Sequence, residues 1–217
     1  MTQVIFITGI GTDVGKTIVS AIITEALQAH YWKPVQAGHT GVTDALWVAS
    51  MVSNKNTSIF PELYKLQLVA SPHIAAREEG LTIDLQAIKN RFNDIISSLS
   101  SDSSTLIIEG AGGIMVPLNE TVFVADLIKL IPAKVILVSR NYLGSINHSL
   151  LTAELCKQYE MDVAGWIFND QYMMYEDEIV RWSGFPKIGS IPFTKNPDKS
   201  FIAEQALQIR DNLKLLL

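Results

Sequence analysis

Thr8-Gly-Ile-Gly-Thr-Asp-Val-Gly-Lys-Thr17 follows the apolar run Val4–Ile7 and opens an amphipathic segment. A buried strand, a glycine-rich loop, Gly-Lys-Thr and then a helix is the order in which a chain cradles a nucleoside triphosphate. Glycines let backbone N–H groups approach the phosphates, and the helix N-terminus favours the anion. Lys16 would place a cation on the β- and γ-phosphates, and the Thr17 hydroxyl would be a ligand for Mg²⁺. Gly11, Thr12, Asp13, Val14 and Gly15 form the loop that would wrap the nucleotide. The usual spacing asks for a glycine at position 10; Ile10 stands there, and Gly9 lies one residue further back, so the loop is a lengthened variant. The plain alternative is a strand-to-helix turn carrying a solvated lysine.

Outward from this loop, continuous apolar runs alternate with segments of helical period. Strands are predicted at Val4–Thr8, Tyr31–Val35, Thr105–Glu109, Lys134–Ser139, Asp162–Phe168 and Lys187–Ile191. These are rich in Ile and Val and mostly lack two-residue alternation, as expected of strands covered on both faces. Helices are predicted over Lys16–Gln28, Leu85–Leu99, Ile146–Tyr159 and Phe201–Leu216, with a helical stretch opening at Asp44 and a short helix running to Glu79. A polar run, Ser97–Ser104, precedes the third strand. This alternation implies an α/β fold: a doubly wound, mainly parallel sheet of the P-loop nucleoside triphosphate hydrolase type. Residues 1–217 read as one nucleotide-binding domain, without repeat, linker or low-complexity tract.

Composition narrows the function classes. Hydrophobic residues make up 48% of the 217 and charged ones 18%, enough for a large buried core. A net charge of −5 without any Lys/Arg cluster argues against a general nucleic-acid binder. The apolar runs are strand-length, far short of a membrane span, and no secretory leader is evident, so a cytoplasmic location is expected. Cys156, the single cysteine, excludes an internal disulfide and a cysteine-based zinc site.

In a doubly wound sheet, ligands sit beyond the carboxyl ends of the strands, so the residues there bear the chemistry. Glu109-Gly-Ala-Gly-Gly113 ends the third strand; its carboxylate can orient Mg²⁺ or serve as a helix cap or ion-pair partner. Lys33, held extended by Pro34, can meet a transferring phosphoryl group, or be a surface lysine lying along an edge strand. Asp44 reads as a helix N-cap or as a Mg²⁺ ligand beside Thr17 and Glu109. The segment Gly144-Ser-Ile-Asn147 opens a helix and can bind a carboxylate, or is an ordinary cap. Asn169 can pair with the adenine edge, or is a turn residue. The four histidines show no metal-ligand spacing.

Taken in order, the phosphate loop, Lys33-Pro-Val-Gln-Ala-Gly38, Ser71-Pro-His73, Glu109-Gly-Ala-Gly-Gly113, Leu143-Gly-Ser-Ile-Asn-His148 and Gly165-Trp-Ile-Phe-Asn-Asp170 resemble the dethiobiotin synthetase family from the first strand to about residue 197. The resemblance implies a homodimeric, ATP- and Mg²⁺-dependent cyclo-ligase of biotin biosynthesis that joins CO₂ to 7,8-diaminononanoate. One amine becomes a carbamate, the carbamate attacks the γ-phosphate, and the second amine closes the ureido ring. It further implies Lys16 and Lys33 as the catalytic cations and Thr17, Asp44 and Glu109 around Mg²⁺. Asn169 would read adenine, and Thr12, Lys33, Ala37 and Gly112 would surround the reacting end of the substrate. Gly144, Ser145, Ile146 and Asn147 would bind the substrate carboxylate across a two-fold interface. The chain departs from the pattern at Ala37, where many relatives carry a hydroxyl, and at Lys195, where an acidic residue often assists the nucleoside. Three rivals are weighed. DNA- and division-site-positioning ATPases carry a signature lysine at the position of Gly11, amidating synthases need a glutaminase domain, and a non-catalytic binder would not need Lys16, Lys33, Asp44 and Glu109.

Overall fold

The computed structural model describes residues 2–39, 41–99, 104–170 and 172–217. Seven strands form a sheet in the order β4-β2-β6-β1-β7-β8-β9. They are β1 (Gln3–Gly9), β2 (His30–Trp32), β4 (Ile59–Phe60), β6 (Thr105–Gly113), β7 (Lys134–Arg140), β8 (Val163–Asn169) and β9 (Lys187–Ile191). Every neighbouring pair in the sheet is parallel. Parallel neighbours need crossover connections, and these put helices on both faces.

Residue alternation decides which core each side chain joins. Phe6, Ile108, Leu137 and Trp166 face one apolar cluster, which is completed by α3 (Pro72–Glu78), α4 (Leu85–Ser98), α5 (Val124–Leu130), α6 (Ser145–Gln158) and α7 (Glu176–Ser183). Ile5, Ile7, Ile107, Ile136 and Ile167 face the other, closed by α1 (Lys16–Leu27), α2 (Asp44–Met51) and α8 (Lys199–Leu216). Both faces are dry, which is why the strands read as continuous apolar runs rather than alternating ones. No helix among the described residues is long and apolar enough to cross a membrane.

One predicted strand is corrected. Tyr31–Val35 is two strands: β2 ends at Trp32, and β3 (Val35–Ala37) leaves the main sheet to pair with β5 (Tyr64–Leu66). Pro34 has no N–H to give to a ladder, and its carbonyl instead accepts from Leu63 and Tyr64 N–H at 3.0 Å each. The break releases Lys33 from the sheet at the carboxyl end of β2. Residues 100–103 of the polar run before β6 lie outside the described residues.

β1 is central, with β6 on one side and β7 on the other. The loops leaving β1, β2, β6, β8 and β9 therefore converge on one end of the sheet.

Candidate functional site

The phosphate loop joins β1 to α1. Gly15, at the helix N-cap, has φ +89°, a left-handed conformation that glycine adopts without steric cost. A Cβ there would meet Asn169 Nδ2 at 2.4 Å. Asn169, at the end of β8, donates that amide to Val14 O at 2.6 Å and so ties the loop to a strand two places from β1 in the sheet. Lys16 is buried and curls back, its Nζ donating to Gly11 O at 2.7 Å. Burial pushes its ammonium down to about 8; Glu109 opposes the shift and Lys33 adds to it.

Five side chains gather beside Lys16. Glu109, in β6, is fully buried and accepts from Thr17 Oγ1 at 3.0 Å and Lys33 Nζ at 2.8 Å, both on Oε1. Tyr31 OH donates to its other oxygen, Oε2, at 2.9 Å. Lys33 also forms an ion pair with Asp44. Burial alone would raise the Glu109 carboxyl, but Lys33 holds it below the usual carboxylate range. For Lys33 burial pulls down, and Glu109 and Asp44 together overcome it, so the ammonium stays charged above its ordinary range. Burial, with Glu109 next in effect, pushes the Tyr31 hydroxyl well up, so it remains a donor.

Of the alternatives left open by sequence, Lys33 is a buried ion-pair centre rather than a solvated edge residue. Asp44 does not cap α2: Thr43 does, its Oγ1 accepting from Leu46 N–H at 3.3 Å. Asp44 is the first residue of the helix, with its N–H donated to Gln36 Oε1 at 3.1 Å. Asp44 and Glu109 thus present two carboxylates to one ammonium, with the Thr17 hydroxyl on Glu109. Mg²⁺ prefers hard oxygen donors, keeps several waters and is commonly held by one or two carboxylates with substrate phosphates. The donor set fits that ion. Among the described residues no cluster of three or more His, Cys, Asp or Glu side chains offers another metal site.

These residues line a cleft of about 730 Å³ that also includes Thr12, Asp13, Gly15, Lys16, Ala37 and Gly112. Next to it, Val14, Asn169, Pro192, Phe193, Thr194 and Phe201 line a smaller hollow of about 120 Å³; Lys195 is exposed and is not among its lining residues. Gly11 and Thr12 line a further groove with His148 and Leu151 of α6. Gly144, Ser145, Ile146 and Asn147 do not reach the main cleft of their own chain. They begin α6, where Gly144 has φ +105° and Ser145 Oγ lies 2.6 Å from Tyr175 OH. Tyr175 OH in turn donates to Tyr142 O at 2.8 Å, fixing the turn that precedes the helix.

Sequence reading missed Tyr31, Gln36 and Tyr175. For Tyr31 one signal was present: a tyrosine rather than a phenylalanine within a buried run requires a partner for its hydroxyl.

A family model described as an AAA domain matches residues 3–199. The chain is 44% identical over 208 residues to the ATP-dependent dethiobiotin synthetase BioD of Cytophaga hutchinsonii, covering 95% of this chain and 97% of the relative. It is 43% identical to the protein of the same name from Christiangramia forsetii, covering 96% of each. Among solved structures, the Pyrococcus furiosus cell division ATPase MinD superposes with TM-score 0.64 at 14% identity over all of both chains. MinD of Pyrococcus horikoshii, solved with Mg-ADP, gives 0.60 at 17% identity, over 97% of this chain and 90% of that one. At such identities the solved structures show the fold alone, that of P-loop nucleoside triphosphate hydrolases.

Proposed function

From the premise that the chain belongs to the ATP-dependent dethiobiotin synthetase family, we propose how its residues carry out the ligation. The protein is an ATP-dependent ligase of biotin biosynthesis. Residues 1–217 act as one ligase domain, taking ATP, CO₂ and 7,8-diaminononanoate as substrates and Mg²⁺ as cofactor.

The observation that carries this reading is the convergence of Lys16, Thr17, Lys33, Asp44 and Glu109 on one cleft. Phosphoryl transfer asks a protein mainly for positioning and charge neutralisation. The phosphate loop holds the triphosphate through its N–H groups, while Lys16 releases Gly11 O to reach the β- and γ-phosphates. Thr17, Asp44 and Glu109 would hold Mg²⁺, which neutralises phosphate charge when bound. Lys33, ion-paired with those two carboxylates in the free protein, yields them to the metal and faces the reacting end. There, one amine of the diamine adds to CO₂ and loses a proton, leaving a carbamate. A carbamate oxygen attacks the γ-phosphorus and ADP departs. The second amine then attacks the carbamate carbon and expels phosphate, closing the ureido ring; the proton it loses leaves with solvent or the phosphate. Two cations beside the cleft suit both the carbamate and the transferring group, whose equatorial oxygens carry charge.

Thr12 and Gly112 border the substrate, and Ala37 offers no hydroxyl to the carbamate. Asn169 would read the base while its amide holds the loop at Val14 O. The backbone of residues 144–147 takes the substrate carboxylate in the cleft of a second copy. Exposed Leu143 and Leu151, 87% and 61% accessible, support a homodimer through this face; light scattering tests it, and a monomer at working concentration refutes it.

The carbamate course is tested with heavy-oxygen-labelled bicarbonate, freshly dissolved in unlabelled water. Label must appear in the released phosphate, because the attacking oxygen leaves with phosphorus. Unlabelled phosphate alongside formation of the cyclic urea rules that course out.

A further inference from the structure

Glu109 is a fully buried carboxylate with two oxygens that do different work. Oε1 is shared by Thr17 and Lys33, both of which the reading above turns toward nucleotide and substrate. Oε2 has Tyr31 OH at 2.9 Å. Tyr31 comes from β2, its Cα in register with Ile107 of β6. Glu109 lies two residues beyond Ile107, on the same face of the sheet, so the phenol runs along that face and meets the carboxylate at its end. Tyr31 has 0% exposure, which keeps bulk water from replacing the contact. When Thr17 and Lys33 engage substrate, this hydroxyl stays on Oε2, and the Ser20 hydroxyl also favours the Glu109 carboxylate.

We propose that Tyr31 is a positioning residue for the reaction: its buried hydroxyl holds Oε2 of Glu109 and thereby turns Oε1 toward the phosphate loop. A carboxylate that rotates about its last bond presents its acceptor in many directions, and hydrogen bonds to the oxygen facing away select one of them. The proposal rests on the reading of Glu109 as a residue that holds Mg²⁺. Tyr31 itself does not touch substrate.

The test titrates Mg²⁺ at fixed ADP by calorimetry on the whole protein, comparing wild type, Tyr31→Phe, Glu109→Gln and the double variant. Tyr31→Phe is expected to raise the Mg²⁺ concentration for half-saturation roughly tenfold, the lower end of what losing a metal ligand's hydrogen-bond partner does. It is also expected to lower kcat while leaving KM for the diamine and metal-free ADP affinity unchanged. Added to Glu109→Gln, it is expected to change nothing further. Each variant's Mg²⁺-induced rise in Tm is read against its own metal-free Tm, so a loss of stability cannot hide the effect. A lowered Tm with unchanged Mg²⁺ half-saturation would make Tyr31 merely structural and overturn the proposal, as would full multiplication of the two effects in the double variant. If Glu109→Gln itself leaves half-saturation unchanged, the reading of Glu109 falls and the proposal with it. If only Tyr31→Phe is silent, the proposal alone falls.

Discussion

ATP binding should weaken with rising pH because of one residue, Lys16. Its ammonium is buried, and its pKa in the free protein lies at about 8 rather than 10.5, with burial as the main cause. The phosphates need the charged form. The binding-competent fraction therefore falls once pH passes that value, and apparent affinity scales with the fraction. Between about pH 7 and about pH 9 the affinity for a non-hydrolysable ATP analogue should drop roughly tenfold. Calorimetry across that range reads it directly, with Lys16→Met as the control that binds weakly and without this slope. The same depressed pKa has a consequence for stability with the opposite sign. Between about 8 and 10.5 the unfolded chain binds the proton that the folded one has lost, so folded-state stability rises with pH across that window. Below about 8 the cost of burying the charge, about 3 kcal/mol, is present in full. Lys16→Met should accordingly raise the Tm of the nucleotide-free protein at neutral pH while abolishing turnover. A wild-type affinity that stays flat through pH 9, or a slope shared by Lys16→Met, would refute the reasoning.

Other perturbations reach the neighbouring groups. Lys33→Met strands the buried Glu109 carboxylate beside Asp44, which should cost about 3–5 kcal/mol in denaturant unfolding and remove turnover; unchanged stability would show that the ion pair contributes nothing to the fold. Gly15→Ala forces a side chain into a left-handed conformation against Asn169, and should lose about 1–3 kcal/mol of stability together with most ATP affinity; a variant with normal nucleotide binding would contradict the loop geometry. Ala37→Thr borders open cleft space, and steady-state kinetics should show unchanged or slightly lower KM for the diamine; failure to fold would mean the pocket is misread.

The fold was legible where burial is uniform. β1, β6, β7 and β8 are covered on both faces, so each read as an unbroken apolar run, and β9 was placed at its observed limits. α1 and α4 carried enough turns for their stripes to show. The β2–β3 boundary did not show, because hydrophobic pattern runs straight through Pro34 and only the missing N–H marks the break. β4 and β5, of two and three residues, are too short to have a period. α5 escaped because Val124, Ala125, Leu127 and Ile128 are all buried, which in so short a segment resembles a strand. α7 escaped because its first turn, Glu176-Asp177-Glu178, looks like a solvated loop.

At the site, what could be read were residues in short motifs within or soon after strands: Lys16, Thr17, Lys33, Glu109 and Asn169. What could not be read were contacts between segments that the fold brings together. Tyr31 reaches a carboxylate 78 residues away, Tyr175 fixes a turn 33 residues before it, and Gln36 accepts the N–H that begins α2. No local hydrophobic pattern encodes such partners; that of Tyr31 follows from strand order and register.

The most direct test of the central claim is phosphate release from MgATP with bicarbonate, measured with and without 7,8-diaminononanoate, together with mass detection of the cyclic urea. The account predicts release that requires both co-substrates and yields that product in equal amount. Release indifferent to the diamine, or none at all, would contradict it.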